Sequence, residues 1–382
     1  SRDGSSENRF YYFKKIMNKK IKIFDLTKQY KSLSNEINSS IKKVISSGNY
    51  ILGENVKNIE LKFAKFIDSK YAISCNSGTD ALLLSLRSLN IGRGDEVITT
   101  PFTYFATAEA ITLAGAKPIF IDINPRTFNI DHTKIPKAIT KKTKAVMPVH
   151  IFGQMSDVVE IKKICKEYNL KLIEDCAQSF GAKKNKSHAG TFGDFGCFSF
   201  FPTKNLGCAG DGGMIVTNNY QNMNMLKQLR NHGGTTRNLH NYVGYNSRLD
   251  EIQASILLIK LKYINRFNAN RRKIANLYKS QIKNNKIITP YELDSLSHVY
   301  NQFTLIVQNR NKFIKYISKY KIPYGVYYPL PIYKQKALKL FNYKYKLKHT
   351  EQITKQCISL PIYPELENSS VAYISEVIND YK

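Results

Sequence analysis

Two short stretches of this chain place an amine and a carboxylate where they could act together. Lys204 stands in Phe198-Ser199-Phe200-Phe201-Pro202-Thr203-Lys204-Asn205-Leu206-Gly207, where an apolar run ends and the lysine follows in a turn. A lysine held against apolar walls loses its proton more readily than a solvated one, which suits an amine that must attack a carbonyl. The chain has 58 basic residues, and a lysine in a turn is ordinarily just solvated, so its company decides. Upstream, Leu172-Ile173-Glu174-Asp175-Cys176-Ala177-Gln178 ends an apolar run on an acidic pair. In α/β sheets ligands bind outside the carboxyl ends of strands, so a carboxylate there can reach a ligand. The plainer reading of Asp175 is a helix N-cap.

Two further stretches complete a set. Asn76-Ser77-Gly78-Thr79-Asp80-Ala81 follows a strand-like run and opens a helical one. Small hydroxyl residues and a glycine at a helix N-terminus make an anion site from backbone N–H groups and the helix dipole, although ordinary capping by Ser77 or Thr79 reads the same way. Pro101-Phe102-Thr103-Tyr104 follows another strand-like run and offers an aromatic face, a role that core packing would also explain. Amine, carboxylate, anion site and aromatic together are the parts that hold pyridoxal 5′-phosphate (PLP). The carboxylate keeps the pyridine nitrogen protonated, which makes the ring an electron sink.

The elements that must position these residues are legible as alternation. Strand-like runs cover 71–74, 96–99, 117–123, 145–150 and 171–174. Helical spacing covers 79–89, 103–113 and 158–168. Further strands are expected at 195–200 and 213–217. This pattern predicts an α/β fold: a large domain with a mostly parallel central sheet flanked by helices. A long helix over 248–272 leads to a smaller C-terminal α/β domain, with strands at 303–307 and 326–328, a helix over 311–320 and another near the end. The boundaries expected are a leader over 1–22, disordered or extraneous, a large domain over 23–260 and a small one over 261–382. Within the leader, residues 1–16 are polar, and Met17 is the expected natural start.

Composition narrows the class. Of the 382 residues, 42% are hydrophobic, enough for a full core. No apolar run is long enough for a transmembrane helix and no signal peptide is evident, so a cytoplasmic protein is expected. The net charge of +29 raises nucleic-acid binding as a possibility. The lysines are spread along the whole chain without a recognition motif, so we read them as a lysine-rich surface, as codon bias in an AT-rich genome produces. A positive field can still attract an anionic substrate. The six cysteines (Cys75, Cys165, Cys176, Cys197, Cys208 and Cys357) form no CxxC pair, so neither a metal site nor a disulfide framework is expected.

From Ile23 to the C-terminus the chain resembles the DegT/StrS family of PLP-dependent nucleotide-sugar aminotransferases. Beside the stretches above, the resemblance is carried by Asp25-Leu26 with Gln29-Tyr30, Gly94-Asp95-Glu96-Val97-Ile98 and His150-Ile151-Phe152-Gly153-Gln154. It continues with Asn246-Ser247-Arg248-Leu249-Asp250, Tyr328-Pro329-Leu330-Pro331 and Ser359-Leu360-Pro361. The resemblance implies that Lys204 is the Schiff-base residue and proton shuttle, and that Asp175 holds the pyridine nitrogen. It implies that Gln178 contacts the 3-oxygen side of the ring and Tyr104 stacks on it. Gly78, Thr79 and Ser199 would hold the phosphate, joined by Asn246 from the neighbouring subunit of a homodimer. Glutamate would be the amino donor and a nucleotide-linked keto-sugar the acceptor. Relatives that act as dehydratases carry histidine in place of the lysine, and Lys204 argues against that branch.

The segment 246–253 is similar to that of members acting on 3-keto sugars. The expected substrate is therefore a 3-keto sugar, a UDP-linked N-acetylhexosamine or hexuronate or a dTDP-linked 6-deoxyhexose, feeding lipopolysaccharide, O-antigen or other surface glycans. Tyr327 and Tyr333 stand where many relatives have histidine, in the expected sugar-binding region. A 4-keto substrate is the first alternative; a non-catalytic regulatory or nucleic-acid-binding protein on the same fold is the second.

Overall fold

The computed structural model describes residues 21–236, 238–293 and 297–382. The expected leader lies outside them except for its last two residues, as does the expected start at Met17. The short apolar runs form seven strands: β1 (Tyr71–Cys75), β2 (Glu96–Thr99), β3 (Lys117–Phe120), β4 (Thr143–Met147), β5 (Lys171–Asp175), β6 (Phe195–Ser199) and β7 (Gly213–Thr217). They make one sheet in the order β1-β7-β6-β5-β4-β2-β3. The strands are buried on both faces, as their near-continuous apolar sequences require. Strands β2 to β6 pair in parallel, whereas β7 is antiparallel to both β1 and β6. The sheet is mostly parallel, as expected. Because β7 runs against its neighbours, its N-terminal end meets the carboxyl ends of all the others.

Helices cover both faces. The described chain opens with α1 (Leu26–Ser47) and α2 (Glu54–Ile67), then α3 (Gly78–Ser88), α4 (Ala106–Leu113), α5 (Val158–Glu167), α6 (Tyr220–Leu229) and the long α7 (Glu251–Gln281). Leu82, Leu86, Ile111 and Leu226 from α3, α4 and α6 pack on one face against Ile73, Val97 and Ile173. Ile59, Phe63, Ile161 and Leu257 from α2, α5 and α7 pack on the other against Ile98, Val146 and Leu172. No element was anticipated over α1 and α2. In α1 only Leu33, Ile37 and Val44 are buried, a stripe too narrow to stand out among its lysines, serines and asparagines. Helix α4 begins at Ala106, not at 103, so Thr103 and Tyr104 lie in the turn that follows β2.

Helix α7, capped by Asp250 at Gln253 N, runs to Gln281, beyond its expected end at 272. Its apolar residues up to Phe267 belong to the sheet core, and from Ile274 they belong to a second core. That second core contains a three-stranded antiparallel sheet, β8 (Ile287–Ile288), β9 (Phe303–Val307) and β10 (Cys357–Leu360), with helices α8 (Arg310–Lys319) and α10 (Asn368–Asn379). Between them α9 (Lys348–Gln356) leads into β10. The strand expected at 326–328 does not form. Its backbone bridges to the small sheet at Gly325, opposite Ser359. Tyr327 and Tyr328 turn instead toward an aromatic cluster around Phe102, Phe128 and Phe152.

One buried cation ties the long helix to the second core. Arg271, 4% exposed, donates through Nη1 to Tyr300 O at 3.2 Å and Ile362 O at 3.0 Å. Replacing it leaves two buried carbonyls unpaired, so Arg271→Ala should lose about 2–4 kcal/mol of stability in urea unfolding. A loss near zero would show that water or neighbouring donors take its place.

Candidate active site

The carboxyl edge of the large sheet opens on a cavity of about 660 Å³. Gly78, Thr79, Tyr104, Asp175, Gln178, Ser199 and Lys204 all line it. Asn246 does not: it is exposed and pairs with Asn231 in an isolated bridge. Its neighbour Ser247 is buried, donates to Asp80 Oδ2 at 2.6 Å and accepts from Asn76 N at 3.2 Å. Ser247 therefore stitches this segment to the start of α3 within the same chain.

Lys204 sits in a closed turn after β6, with its N–H on Phe201 O at 2.8 Å. Helix α7 braces the turn from behind, where Lys260 Nζ donates to Gly207 O at 2.8 Å. Burial lowers the Lys204 ammonium to about 8, against the opposing pull of the Asp175 carboxylate. Asp175 ends β5, and burial raises its carboxyl above the usual range. Thr107 Oγ1 donates to Oδ2 at 2.8 Å and Ala177 N to Oδ1 at 3.1 Å, both favouring the carboxylate. No helix follows Asp175, so the N-cap reading does not apply. Thr107 contacts Asp175 directly, and no role was assigned to it from the sequence. Its signal was its place one turn after Tyr104.

The anion cradle is tight. Ser77 caps α3 by accepting from Asp80 N at 3.0 Å. A Cβ on Gly78 would stand 2.6 Å from Ser199 Cβ, so only glycine lets the helix start approach β6. Gly213, at the start of β7, likewise has no room: a Cβ would meet Ser77 O at 2.3 Å. A helix N-terminus flanked by Thr79 and Ser199 fits a phosphate, and Lys204 and Asp175 share the same cavity. These residues fit PLP: Gly78, Thr79 and Ser199 would hold its phosphate, Asp175 its ring nitrogen and Lys204 its carbonyl carbon. When bound, PLP supplies an electron sink and a carrier for the amino group.

Gln178 is oriented from both ends. Its Oε1 accepts from Phe152 N at 2.7 Å, and its Nε2 donates to the Tyr328 hydroxyl at 3.1 Å. The second Nε2 hydrogen remains for a ligand. Tyr104, 62% exposed, lies on the rim with its ring 6.3 Å from that of Tyr328. Tyr327 and Tyr328 line the cavity. Tyr333, expected in the sugar-binding region, is instead buried beside Phe120, with its hydroxyl donating to Glu351 at 2.8 Å. Its ring completes a satellite core, which single-residue comparison cannot reveal.

Beneath the site His150, Glu174 and Cys176 cluster closely enough to resemble a metal site. Ser156 N donates to His150 Nδ1 at 3.1 Å, so the ring hydrogen is on Nε2 and points at Glu174 Oε2, 3.0 Å away. Backbone N–H groups of Gly190, Phe192 and Gly193 fill the rest of that carboxylate. Burial pushes the Cys176 thiol well up, so it stays protonated. The cluster is a hydrogen-bonded support for β5, with its donor atoms already engaged.

Two predictions follow from this geometry. In cofactor-free protein, modification of Lys204 by an amine-reactive reagent, followed peptide by peptide, should rise with pH through a midpoint near 8. Asp175→Asn removes the group that favours the ammonium, so the midpoint should move down; an upward move would contradict the pairing. Gly78→Ala should weaken PLP binding at least tenfold by forcing α3 away from Ser199, as read by cofactor titration, equivalent to about 1.4 kcal/mol.

The DegT/DnrJ/EryC1/StrS aminotransferase family model matches residues 31–379. A pleiotropic regulatory protein of Geobacillus stearothermophilus is 41% identical over 94% of this chain and 98% of its own length. The UDP-2-acetamido-2-deoxy-3-oxo-D-glucuronate aminotransferase of Pseudomonas aeruginosa is 41% identical over 94% of this chain and all of its own. The dTDP-3-amino-3,6-dideoxy-alpha-D-galactopyranose transaminase of Aneurinibacillus thermoaerophilus is 42% identical over 94% and 99%. Among solved structures, DesV of Streptomyces venezuelae in complex with a ketimine intermediate superposes with a TM-score of 0.92 at 33% identity, covering 94% of this chain and 98% of that one. NtdA of Bacillus subtilis, with bound PMP, gives 0.88 at 30% identity over 95% and 86%. With the match spanning nearly its whole length, the chain belongs to the DegT/DnrJ/EryC1/StrS aminotransferase family, whose cofactor is pyridoxal phosphate.

Proposed function

We propose that this protein moves an amino group from glutamate to C3 of a UDP- or dTDP-linked 3-keto sugar, in the cytoplasm, for lipopolysaccharide or other surface glycans. The observation that carries the reading is the pairing of Lys204 with Asp175 in one cavity, in a chain whose 41–42% identical relatives include two named for 3-oxo or 3-amino nucleotide sugars. In this reading Lys204 Nζ takes or returns a proton at the substrate carbon that bears the nitrogen, Cα of glutamate or C3 of the sugar, and would exchange it with the carbonyl-derived carbon of the cofactor, which a pKa near 8 allows. Asp175 Oδ2, held by Thr107, is the acceptor for a ring N–H. Gln178 offers its free amide hydrogen to a ring oxygen. Residues 23–260 act as the cofactor-binding domain and 261–382 as the smaller domain that closes the sugar side. The active unit is a homodimer in which Asn246, exposed and outside the lining of its own cavity, serves the neighbour's phosphate. Nucleic acid and membrane play no part; among the described residues no helix is long and apolar enough to cross a membrane.

The regulatory name of the Geobacillus relative raises the non-catalytic alternative, and the complete Lys204–Asp175–Thr107 set favours catalysis over it. Loading the protein with PLP should give a visible absorbance band that Lys204→Ala abolishes. A panel of nucleotide amino-sugars then tests the substrate through the shift from pyridoxal to pyridoxamine absorbance run in reverse. Conversion of 3-amino sugars is expected; conversion of 4-amino sugars alone would move the protein to the other class.

A further inference from the structure

The sheet registers the ends of β5 and β6, with Asp175 opposite Cys197. It does not set the path of the chain beyond its edge, where Lys204 and Gln178 lie. One side chain of helix α7 reaches both of their turns. Asn268 Oδ1 accepts from Asn205 Nδ2 at 2.7 Å, next to Lys204. Asn268 Nδ2 donates to Phe180 O at 3.0 Å, two residues after Gln178. Asn205 is held from its other side as well: Nδ2 also donates to Val299 O at 3.0 Å, and Oδ1 accepts from Asn301 Nδ2 at 3.1 Å. Asn205 and Asn268 are 5% and 3% exposed, so water competes little for these bonds. Turning either amide over would set oxygen against oxygen, at Val299 or at Phe180, so the network assigns both orientations. The passage is shaped for the contact. Gly181 has a φ of +89°, and a Cβ there would stand 2.5 Å from Asn268 Nδ2.

We propose that Asn268 is a positioning residue for transamination: its amide holds the turn of Lys204 and the turn that follows Asp175 at a fixed separation. It does not line the cavity, so it acts through Asn205 and Phe180 and touches neither cofactor nor substrate. The inference rests on the roles proposed above for Lys204 and Asp175 and deepens them. An amine that moves protons at a substrate carbon is sensitive to its place, and a misplacement of about 1 Å costs roughly a hundredfold in rate. A bridge of two amide bonds to a long helix limits such drift on both sides of the cofactor at once.

The test compares Asn268→Leu, which keeps a branched side chain and removes both bonds, with Arg271→Ala, a destabilising change on the same helix outside the bridge. Two readouts go beyond stability. In PLP-loaded enzyme, the rate of the half-reaction at saturating L-glutamate should fall about tenfold or more in Asn268→Leu, with little change in KM. In cofactor-free full-length protein, the midpoint for modification of Lys204 should move up from about 8, because burial is the larger influence on that amine and a freed turn relieves it. Arg271→Ala should lower the melting temperature and leave both readouts near wild type. Should Asn268→Leu fail to fold, Gly181→Ala, which displaces the same amide by its Cβ, must give the same two changes. A lower melting temperature alone, a midpoint that stays or falls, or equal changes in Arg271→Ala would each overturn the inference. Wild-type enzyme that does not convert glutamate would bring down the amino donor named above, and the midpoint alone would then decide the role of Asn268.

Discussion

The site depends on an amine and a carboxylate that share one cavity at the sheet edge. Burial acts on both in the same sense: it drives Lys204 toward its neutral form and Asp175 toward its protonated one. Their mutual attraction acts in the opposite sense. The lysine therefore gives up its proton more readily than a solvated one, as a lysine that must both bond to carbon and carry protons requires. The balance is set locally. Thr107 and the Ala177 N–H lean it toward the aspartate anion, and no surface charge reaches these atoms as directly.

Much of the rest of the structure holds that pair in place. The reversed direction of β7 brings Gly213 between Cys75 and Ser199, and two glycines without room for a Cβ let α3 close on the edge. His150, Glu174 and the Gly190–Gly193 loop support β5 from below. Helix α7 reaches the lysine turn twice, through Lys260 to Gly207 and through Asn268 to Asn205. The same helix enters the second core, where Arg271 fixes it. A movement of the small domain would therefore pull on the turn of Lys204 through a helix and a chain of buried amides, neither of which stretches easily.

The sequence disclosed the parts that local pattern can encode. Strand-then-turn segments ending in Asp175, Lys204 and Tyr104 were readable because parallel sheets present ligands at one edge, so order along the chain already implied convergence. Helix α1 was not, because its apolar stripe is thin. The segment 326–328 has strand composition, but its tyrosines gain more by packing on Phe102 and Gln178 than by extending a sheet that β10 already completes. Tyr333 was misplaced for the same reason: an aromatic near a site is drawn to whichever apolar cluster lies closest. Asn301 carries no motif, because its side-chain partner Asn205 lies almost a hundred residues away.

The charge balance points the same way as the exposed position of Asn246. The chain carries +29 overall, yet among the described residues lining the cavity Lys204 is the sole cation, beside Asp175 and Asp211. At physiological ionic strength charges are screened within about 8 Å, so lysines scattered over the surface can guide an anionic nucleotide sugar toward the protein but cannot hold its diphosphate in the cavity. Helix α3 can neutralise one phosphate, and in the proposed reaction that place is taken by the cofactor. In the proposed reaction, groups that bind the nucleotide would then come from beyond this cavity wall. In the proposed dimer a second copy presenting Asn246 would supply a polar contact that one chain does not turn toward its own cavity. The proposed dimer would answer that electrostatic shortfall.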